Sequence, residues 1–307
     1  MRIHQHWQGL GPSDQGASVA MGNFDGVHLG HRAVIDLARN AAPLGIVTFE
    51  PHPREVFAPE APPFRLMNAE ARANRLAKLG VAQLYQLPFD ATLAAFTPEA
   101  FAREVLARGL GVSHVVVGAD FCFGRGRSGK AADLQALGAQ LGFRVTIADL
   151  VQTGGREISS TAVREALTAG RPRDAVAMLG HWHRIEGEVL HGAKRGRELG
   201  YPTANMSVAG LHLPRLGVYA VKVDVLTGPQ AGSYMGAASL GVRPMFGQNQ
   251  PNLETHLLDF TGDLYGQHLS VAFVDYLRPE LKFDGLPALI RQMRADCDEA
   301  RAILSAA

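Results

Sequence analysis

The chain has 307 residues, of which 47% are hydrophobic and 19% charged, and its net charge is +1. At about 150 residues per domain there is room for two cores, and so small a net charge gives no electrostatic footprint for nucleic acid or a membrane surface. No run reaches the roughly 18 apolar residues of a membrane-spanning helix, the start MRIHQHWQGLG lacks a signal-peptide core, and the two cysteines, Cys122 and Cys297, are expected as reduced thiols in a cytoplasm.

The first half alternates short apolar runs with helical patterns. Ser18 to Met21 reads as a buried strand, and Ala33, Val34, Leu37 and Ala38 recur at helical spacing, so a helix starts near Gly30. Between them lies GNFDGVHLGH, residues 22 to 31, where Phe24-Asp25-Gly26 must turn the chain and Gly26 is free to take φ > 0. His28 and His31, three apart, share one side of the first helical turn. Unpaired backbone N–H groups and the helix dipole favour an anion there, so the stretch is suited to hold a polyphosphate. A solvated helix start and half of a metal site are the competing readings, although zinc usually takes three or four nitrogen or sulfur ligands.

Strands follow at Leu44 to Phe49, Ala82 to Leu87, His114 to Val117 and Arg144 to Ala148. Helices are expected from Asn68 to Leu79, from Thr97 to about Gly109 and over Ala131 to Leu141. Strands alternating with helices predict a parallel sheet covered on both faces, with ligands at the C-terminal strand ends, where GNFDGVHLGH falls. His52, in the stiff turn Phe49-Glu50-Pro51-His52-Pro53, reads equally as a turn residue or a functional one. The stretch GADFCFGRGRSGK, residues 118 to 130, carries Arg125, Arg127 and Lys130 among glycines and reads either as a phosphate-covering loop or as a solvated basic one. In Ile158-Ser159-Ser160-Thr161-Ala162-Val163-Arg164 a serine caps a further helix that places Arg164 on its first turns.

After Gly180 the helical period vanishes. Strands are expected at Ile185 to His191, Gly217 to Val225, Tyr234 to Gly241, Leu253 to Phe260 and Leu269 to Leu277, an antiparallel barrel or sandwich closed by a helix bearing Leu286, Leu289, Ile290, Met293, Cys297 and Leu304. Within HGAKRGRELGYPTANM, residues 191 to 206, a glycine-rich loop carries Lys194, Arg195 and Arg197. Thr203 and Asn205 then project the same way from an extended segment, two neutral oxygens suited to magnesium beside a phosphate, or a plain polar strand edge. On the expected strand from Leu253 to Phe260, Glu254 faces away from Leu253, Thr255 and Leu257.

Taken together, GNFDGVHLGH, the D-F-x-F-G stretch (Asp120, Phe121, Phe123, Gly124), I-S-S-T-A-V-R, G-Y-P-T-A-N and E-T-H-L-L-D-F resemble, in order, the motifs of bacterial bifunctional riboflavin kinase/FMN adenylyltransferases. The resemblance implies a Rossmann-like nucleotidyltransferase domain with a parallel sheet over residues 1–182, and a small antiparallel riboflavin kinase barrel closed by a C-terminal helix over 183–307. It implies cytoplasmic flavin cofactor synthesis with riboflavin, FMN and ATP as small-molecule partners, FMN and FAD as products, and Mg2+ as cofactor. In the first domain it assigns catalysis to His28, His31 and Arg164, and ATP binding to Gly22, Asn23, Phe24, Asp25, Gly30, Asp120, Ser160 and Thr161. In the second it makes Glu254 the base, places nucleotide or flavin at Gly192, Lys194, Arg197, Gly200, Pro202, Thr203 and Asn205, and gives the metal to Thr203 and Asn205. The chain departs from the family pattern at Arg243-Pro244-Met245-Phe246, where R-P-T-F is usual, and at His181-Trp182-His183-Arg184. A flavin-binding barrel without kinase activity and a non-catalytic flavin carrier are the rival readings.

Overall fold

The computed structural model describes residues 1–149, 152–153, 156–192, 199–245 and 248–306, with the backbone alone at 152–153, 156–157, 243–245 and 248–250. They form two compact units, Met1–Pro62 with Arg72–Ile158, and Pro63–Ala71 with Ser159–Ala307.

In the first unit β1 (Arg2–His4), β2 (Ser18–Met21), β3 (Leu44–Glu50), β4 (Gln83–Pro88), β5 (His114–Gly118) and β6 (Arg144–Ala148) make one parallel sheet in the order β1-β4-β3-β2-β5-β6. β2 is buried along its whole length, with Val19, Ala20 and Met21 apolar and the Ser18 hydroxyl donating to the Ala38 carbonyl at 2.6 Å. The chain moves to one side of β2 through β3 and β4 and to the other through β5 and β6, so strand order reverses at β2. That reversal opens the crevice at the C-terminal strand ends in which such sheets hold ligands. Helices α1 (Leu29–Leu37), α2 (Ala69–Lys78) and α3 (Ala131–Leu141) lie near their expected bounds, α2 with Asn68 Oδ1 accepting from the Ala71 N–H at 2.8 Å.

The helix begun at Thr97-Pro98 widens from Phe101 to Gly109 into i→i+5 turns, the Leu110 N–H reaching the Val105 carbonyl at 2.8 Å. This keeps Phe101, Ala102, Val105 and Leu106 in the core, and Gly109 lies against Trp7, where a Cβ would come within 2.5 Å of the Trp7 carbonyl. Periodicity alone does not separate such turns from ordinary α-helix.

In the second unit β7 (Arg184–Glu188), β8 (Ala204–Ser207), β9 (Gly217–Val225), β10 (Gly232–Met245), β11 (Gln248–Leu257) and β12 (His268–Arg278) pair antiparallel in the order β7-β12-β9-β10-β11-β8. Leu190, just past β7, bridges to Asn205 on β8, its N–H donating to the Asn205 carbonyl at 2.8 Å, which brings the two outer strands together into a nearly closed barrel. Alternate residues fill the interior, among them Tyr219, Val221, Val223, Leu240, Leu253, Val271 and Phe273. On the outer face the small residues Ala220 and Ala237 let helix α6 (Leu286–Ser305) approach through Ala300 and Leu304. Cys297 packs in that seam, where burial pushes its thiol up to about 11, so it is a core residue rather than a reactive one.

Helices α4 (Ser160–Thr168) and α5 (Pro172–Leu179) belong to this same unit, sharing a core of Leu66, Val163, Ala166, Leu167, Ala175 and Leu179. Arg173 of α5 pairs with Asp275 of β12 at 2.8 Å.

The segment at the barrel entrance is structural. Arg184 donates to Asp224 at 2.7 Å and to the Ser270 hydroxyl at 3.0 Å. His183, 2% exposed, packs on Phe273 with its Nε2 buried and without a hydrogen-bond partner among the described residues. Burial, helped by His181 and His212, lowers its pKa from 6.5 to about 3. Below pH 6.5 the unfolded chain binds a proton at this residue that the folded chain refuses, so stability is intact at neutral pH and falls with acidification between these two values. The slope is up to about 1.4 kcal/mol per pH unit. Denaturant unfolding of the barrel at pH 6 and pH 4 should therefore show a smaller acid loss in His183→Leu than in the wild type.

Candidate active sites

The first constellation grows from the C-terminal end of β2. The Gly22 N–H donates to the Val47 carbonyl at 3.1 Å, carrying the sheet ladder one residue further. The chain then turns sharply, with Gly26 at φ 85° as expected, but also Phe24 at 52° and Val27 at 43°. A buried phenylalanine and a β-branched valine in the left-handed region each carry a strain of order 1–3 kcal/mol, which the surrounding packing must hold. Such strain concentrates where a site is preorganised, and it was not legible in the sequence.

Packing does hold it. The Asn23 carbonyl accepts from Thr48 Oγ1 at 3.3 Å and from the guanidinium of Arg72 at 3.4 Å, while Arg72, 3% exposed, pairs with Glu50 at 2.8 Å. Arg72 was missed by motif reasoning because it lies on a helix remote in sequence. A buried arginine on an amphipathic helix is the only signal that could have marked it.

His28 caps α1, its Nδ1 accepting from the His31 N–H at 3.2 Å. An accepting Nδ1 leaves the proton of the neutral ring on Nε2, which makes Nε2 the donor. The His28 and His31 rings stack at 3.6 Å with 17° between planes, and His31 Nδ1 is buried with no hydrogen-bond partner among the described residues. Burial, reinforced by the positive potential of a protonated His28, holds His31 well below its ordinary 6.5. At a helix N-terminus the buried His31 ring resists charging, and the site favours an anion that offsets positive charge. Among the described residues no three His, Cys, Asp or Glu side chains group as metal ligands, so the half-metal-site reading gains no third ligand there.

At Gly30 a Cβ would sit 3.1 Å from two atoms of the His28 ring, so a side chain there asks that ring to give by a few tenths of an ångström. Gly30→Ala should displace that ring with the fold retained, measured as a change in the imidazole NMR signals of His28 and His31.

The other expected residues of this set are spread. Asp120 is exposed beyond β5, where residues 118–130 form a docked hairpin rather than an open loop. Cys122 pairs with Lys130, and Gly124 and Gly129 press on Pro98, leaving Arg125, Arg127 and Lys130 exposed. His52 caps the short helix Pro53–Phe57 in a capping box with Glu55. Ser160, Thr161 and Arg164 lie in the second unit on α4, which Ser159 caps through the Ala162 N–H at 3.3 Å; the Arg164 guanidinium lies 5.8 Å from the Phe64 ring centre.

The second constellation opens on a cavity of about 530 Å³ at the β7–β8 seam, lined by Pro202, Thr203, Asn205, Phe260, Asp263 and Tyr265 among others. Thr203 and Asn205 both line it, together with their neighbours Pro202 and Ala204. The Asn205 amide donates to the Thr203 carbonyl at 3.3 Å and rests on Gly192, where a Cβ would come within 2.5 Å of Asn205 Nδ2. Gly192 thus admits the amide, whereas Gly200, at φ 81°, serves the turn into Pro202. Neutral amide and hydroxyl oxygens on a roomy cavity wall fit magnesium, which takes few protein ligands and keeps its remaining positions for water and phosphate.

Glu254 on β11 stands opposite Asn205 on β8 and Ser239 on β10, half-buried, and its Oε1 accepts from Asn252 Nδ2 at 3.4 Å. His256, on the same face, meets the Pro202 carbonyl at 2.8 Å. Lys194, Arg195, Arg197 and Phe246 lie outside the described residues, and Met245 ends β10 opposite Gln248. Phe260 and Thr261 of the cavity wall were not singled out from the sequence. They follow the H-L-L-D run in a turn in which Asp259 takes φ 55°.

Two family models match the chain in succession. The family model of FAD synthetase matches residues 11–162 and that of riboflavin kinase residues 179–304. The bifunctional riboflavin kinase/FMN adenylyltransferase of Pseudomonas fluorescens is 41% identical, with 99% of this chain and 98% of the relative covered. That of Escherichia coli strain K12 is 38% identical over 92% of this chain and 91% of its own. A solved structure from Streptococcus pneumoniae, described as a macrolide-efflux protein, superposes with a TM-score of 0.81 at 30% identity and covers 98% of both chains.

Proposed function

Since the chain belongs to the bifunctional riboflavin kinase/FMN adenylyltransferase family, we propose that its two reactions use the two constellations described above. The protein phosphorylates riboflavin with ATP to give FMN, then adenylylates FMN with ATP to give FAD and pyrophosphate. We assign the kinase to residues 183–307 and the adenylyltransferase to 1–182. The ends of the two family matches, at 162 and 179, support a boundary in this region.

In adenylyl transfer an oxygen of the FMN phosphate bonds to the α-phosphorus of ATP as the bond to pyrophosphate breaks. The nucleophile is already ionised, so the chain supplies position and charge stabilisation rather than a base. His28, with its proton on Nε2, and His31 donate to the phosphate oxygens as charge builds. Gly22, Asn23, Phe24, Asp25, Gly30 and Asp120 shape the ATP site, and Ser160, Thr161 and Arg164 hold the phosphates, Arg164 facing the departing pyrophosphate. The observation that carries this reading is the stacked His28–His31 pair at the N-terminus of α1, at the reversal point of the sheet.

In the kinase reaction Glu254 accepts the proton of the riboflavin 5′-hydroxyl as that oxygen attacks the γ-phosphorus and ADP leaves. Thr203 and Asn205 would hold Mg2+, which when bound offsets phosphate charge. Gly192, Lys194, Arg197, Gly200 and Pro202 belong to the segment that receives the nucleotide and flavin. Among the described residues no helix is long and apolar enough to cross a membrane, and both cysteines are free, which supports a cytoplasmic location.

Chromatographic analysis of purified protein mixed with riboflavin, ATP and Mg2+ tests the whole reading. FMN should appear first and FAD after it, with ADP and then pyrophosphate released. FAD formed only from supplied FMN would reduce the barrel to a flavin-binding module.

A further inference from the structure

We propose that Asn252 is a positioning residue of the kinase site, tying the Asn205 amide to the Glu254 carboxylate so that both are held in one orientation. The inference rests on the reading of Glu254 as base. Asn252 and Glu254 are two apart on β11 and therefore share a face. Directly opposite them on β8 stand Ser207 and Asn205. Asn252 is 2% exposed, and its Nδ2 lies 3.3 Å from Asn205 Oδ1 and 3.4 Å from Glu254 Oε1. A carboxamide nitrogen carries two N–H groups, so one Asn252 serves both acceptors at once. Asn205 in turn donates to the Thr203 carbonyl, and the series Thr203, Asn205, Asn252, Glu254 runs from the cavity wall to the base.

Burying an amide in a barrel wall costs free energy that an apolar residue at the same strand position avoids, unless its hydrogen bonds are made. Here those bonds go to two residues that the reaction uses. The distances lie at the long end of the hydrogen-bonding range, and such contacts commonly shorten in the productive complex. A carboxylate at 252 would have the same shape, would lack both donors and would repel Glu254.

The test uses the full chain. Asn252→Asp keeps the shape and removes both donors; Asn252→Leu removes polarity and the added charge alike. Each is measured alone and combined with Glu254→Gln. FMN formation by either single variant should lose about 10- to 10²-fold in kcat. KM for riboflavin and ATP, and riboflavin affinity by flavin fluorescence quenching, should stay within about twofold if only positioning is lost. FAD formation from supplied FMN, as the control for folding, should be unchanged. In the Glu254→Gln background the Asn252 substitution should cost nothing further, because its effect passes through the carboxylate. Losses that multiply in the double variants, or a raised KM with kcat intact, would overturn the proposal and leave Asn252 as a space-filling residue. Full FMN formation by Glu254→Gln alone would instead overturn the assignment of the base, a result readable without reference to Asn252.

Discussion

His28→Ala should all but stop FAD formation while FMN accumulates from riboflavin and ATP. The imidazole does two things in the structure. Its Nδ1 caps α1 through the His31 N–H at 3.2 Å, and its ring stacks on His31 at 3.6 Å. Removing a preorganised donor to developing phosphate charge costs about 10²–10³ in rate, whereas loss of an N-cap costs about 1 kcal/mol of stability. The two effects separate with His28→Asn, which retains a good capping side chain and lacks the imidazole. It should fold with wild-type stability and still lose FAD formation. Activity restored by asparagine would mean that the residue acts only as a cap. The measurement is product chromatography on both variants, started from riboflavin and separately from FMN.

The complementary substitution lies on β11. Glu254→Gln should lower FMN formation by about 10²–10⁴, the range for loss of a positioned general base, and leave FAD formation from supplied FMN intact. Glutamine keeps the length and the acceptor toward Asn252 and cannot take up the hydroxyl proton, so a structural role for this half-buried strand residue would survive the change. A pair of variants each losing both reactions, with unfolding curves unchanged, would contradict separate sites.

The sequence disclosed most where one force dominated. β2 was legible because Val19, Ala20 and Met21 form an apolar run, and α3 because its ends coincide with the expected Ala131 and Leu141; α6 was legible as a helix, but Leu286 of its expected stripe is 58% exposed and its buried residues are Asp296, Ala300 and Leu304. Asn68 and Thr97 were legible as caps from their short side-chain oxygens, whereas Ser159 and Ser160 read alike and the structure gives the cap to Ser159. What stayed hidden depends on partners distant in sequence. The hairpin over residues 118–130 is fixed by Pro98, Arg72 reaches Asn23 across 49 positions, and β8 becomes a strand only because β11 offers it a partner. The φ values of Phe24 and Val27 run against the preference of both residue types, so no local rule would assign them. Asn252 was passed over because it lies next to a motif and looks like a polar strand residue until its two acceptors are in place.

Helix α4 carries Ser160, Thr161 and Arg164, and its buried side packs with α5 and Leu66 in the unit that contains the barrel. Under the division of labour proposed above, the two enzymes are therefore not equal tenants. A substitution that unfolds α4 should then lower FAD formation from supplied FMN as well as FMN formation from riboflavin. A lesion confined to the parallel sheet spares FMN production.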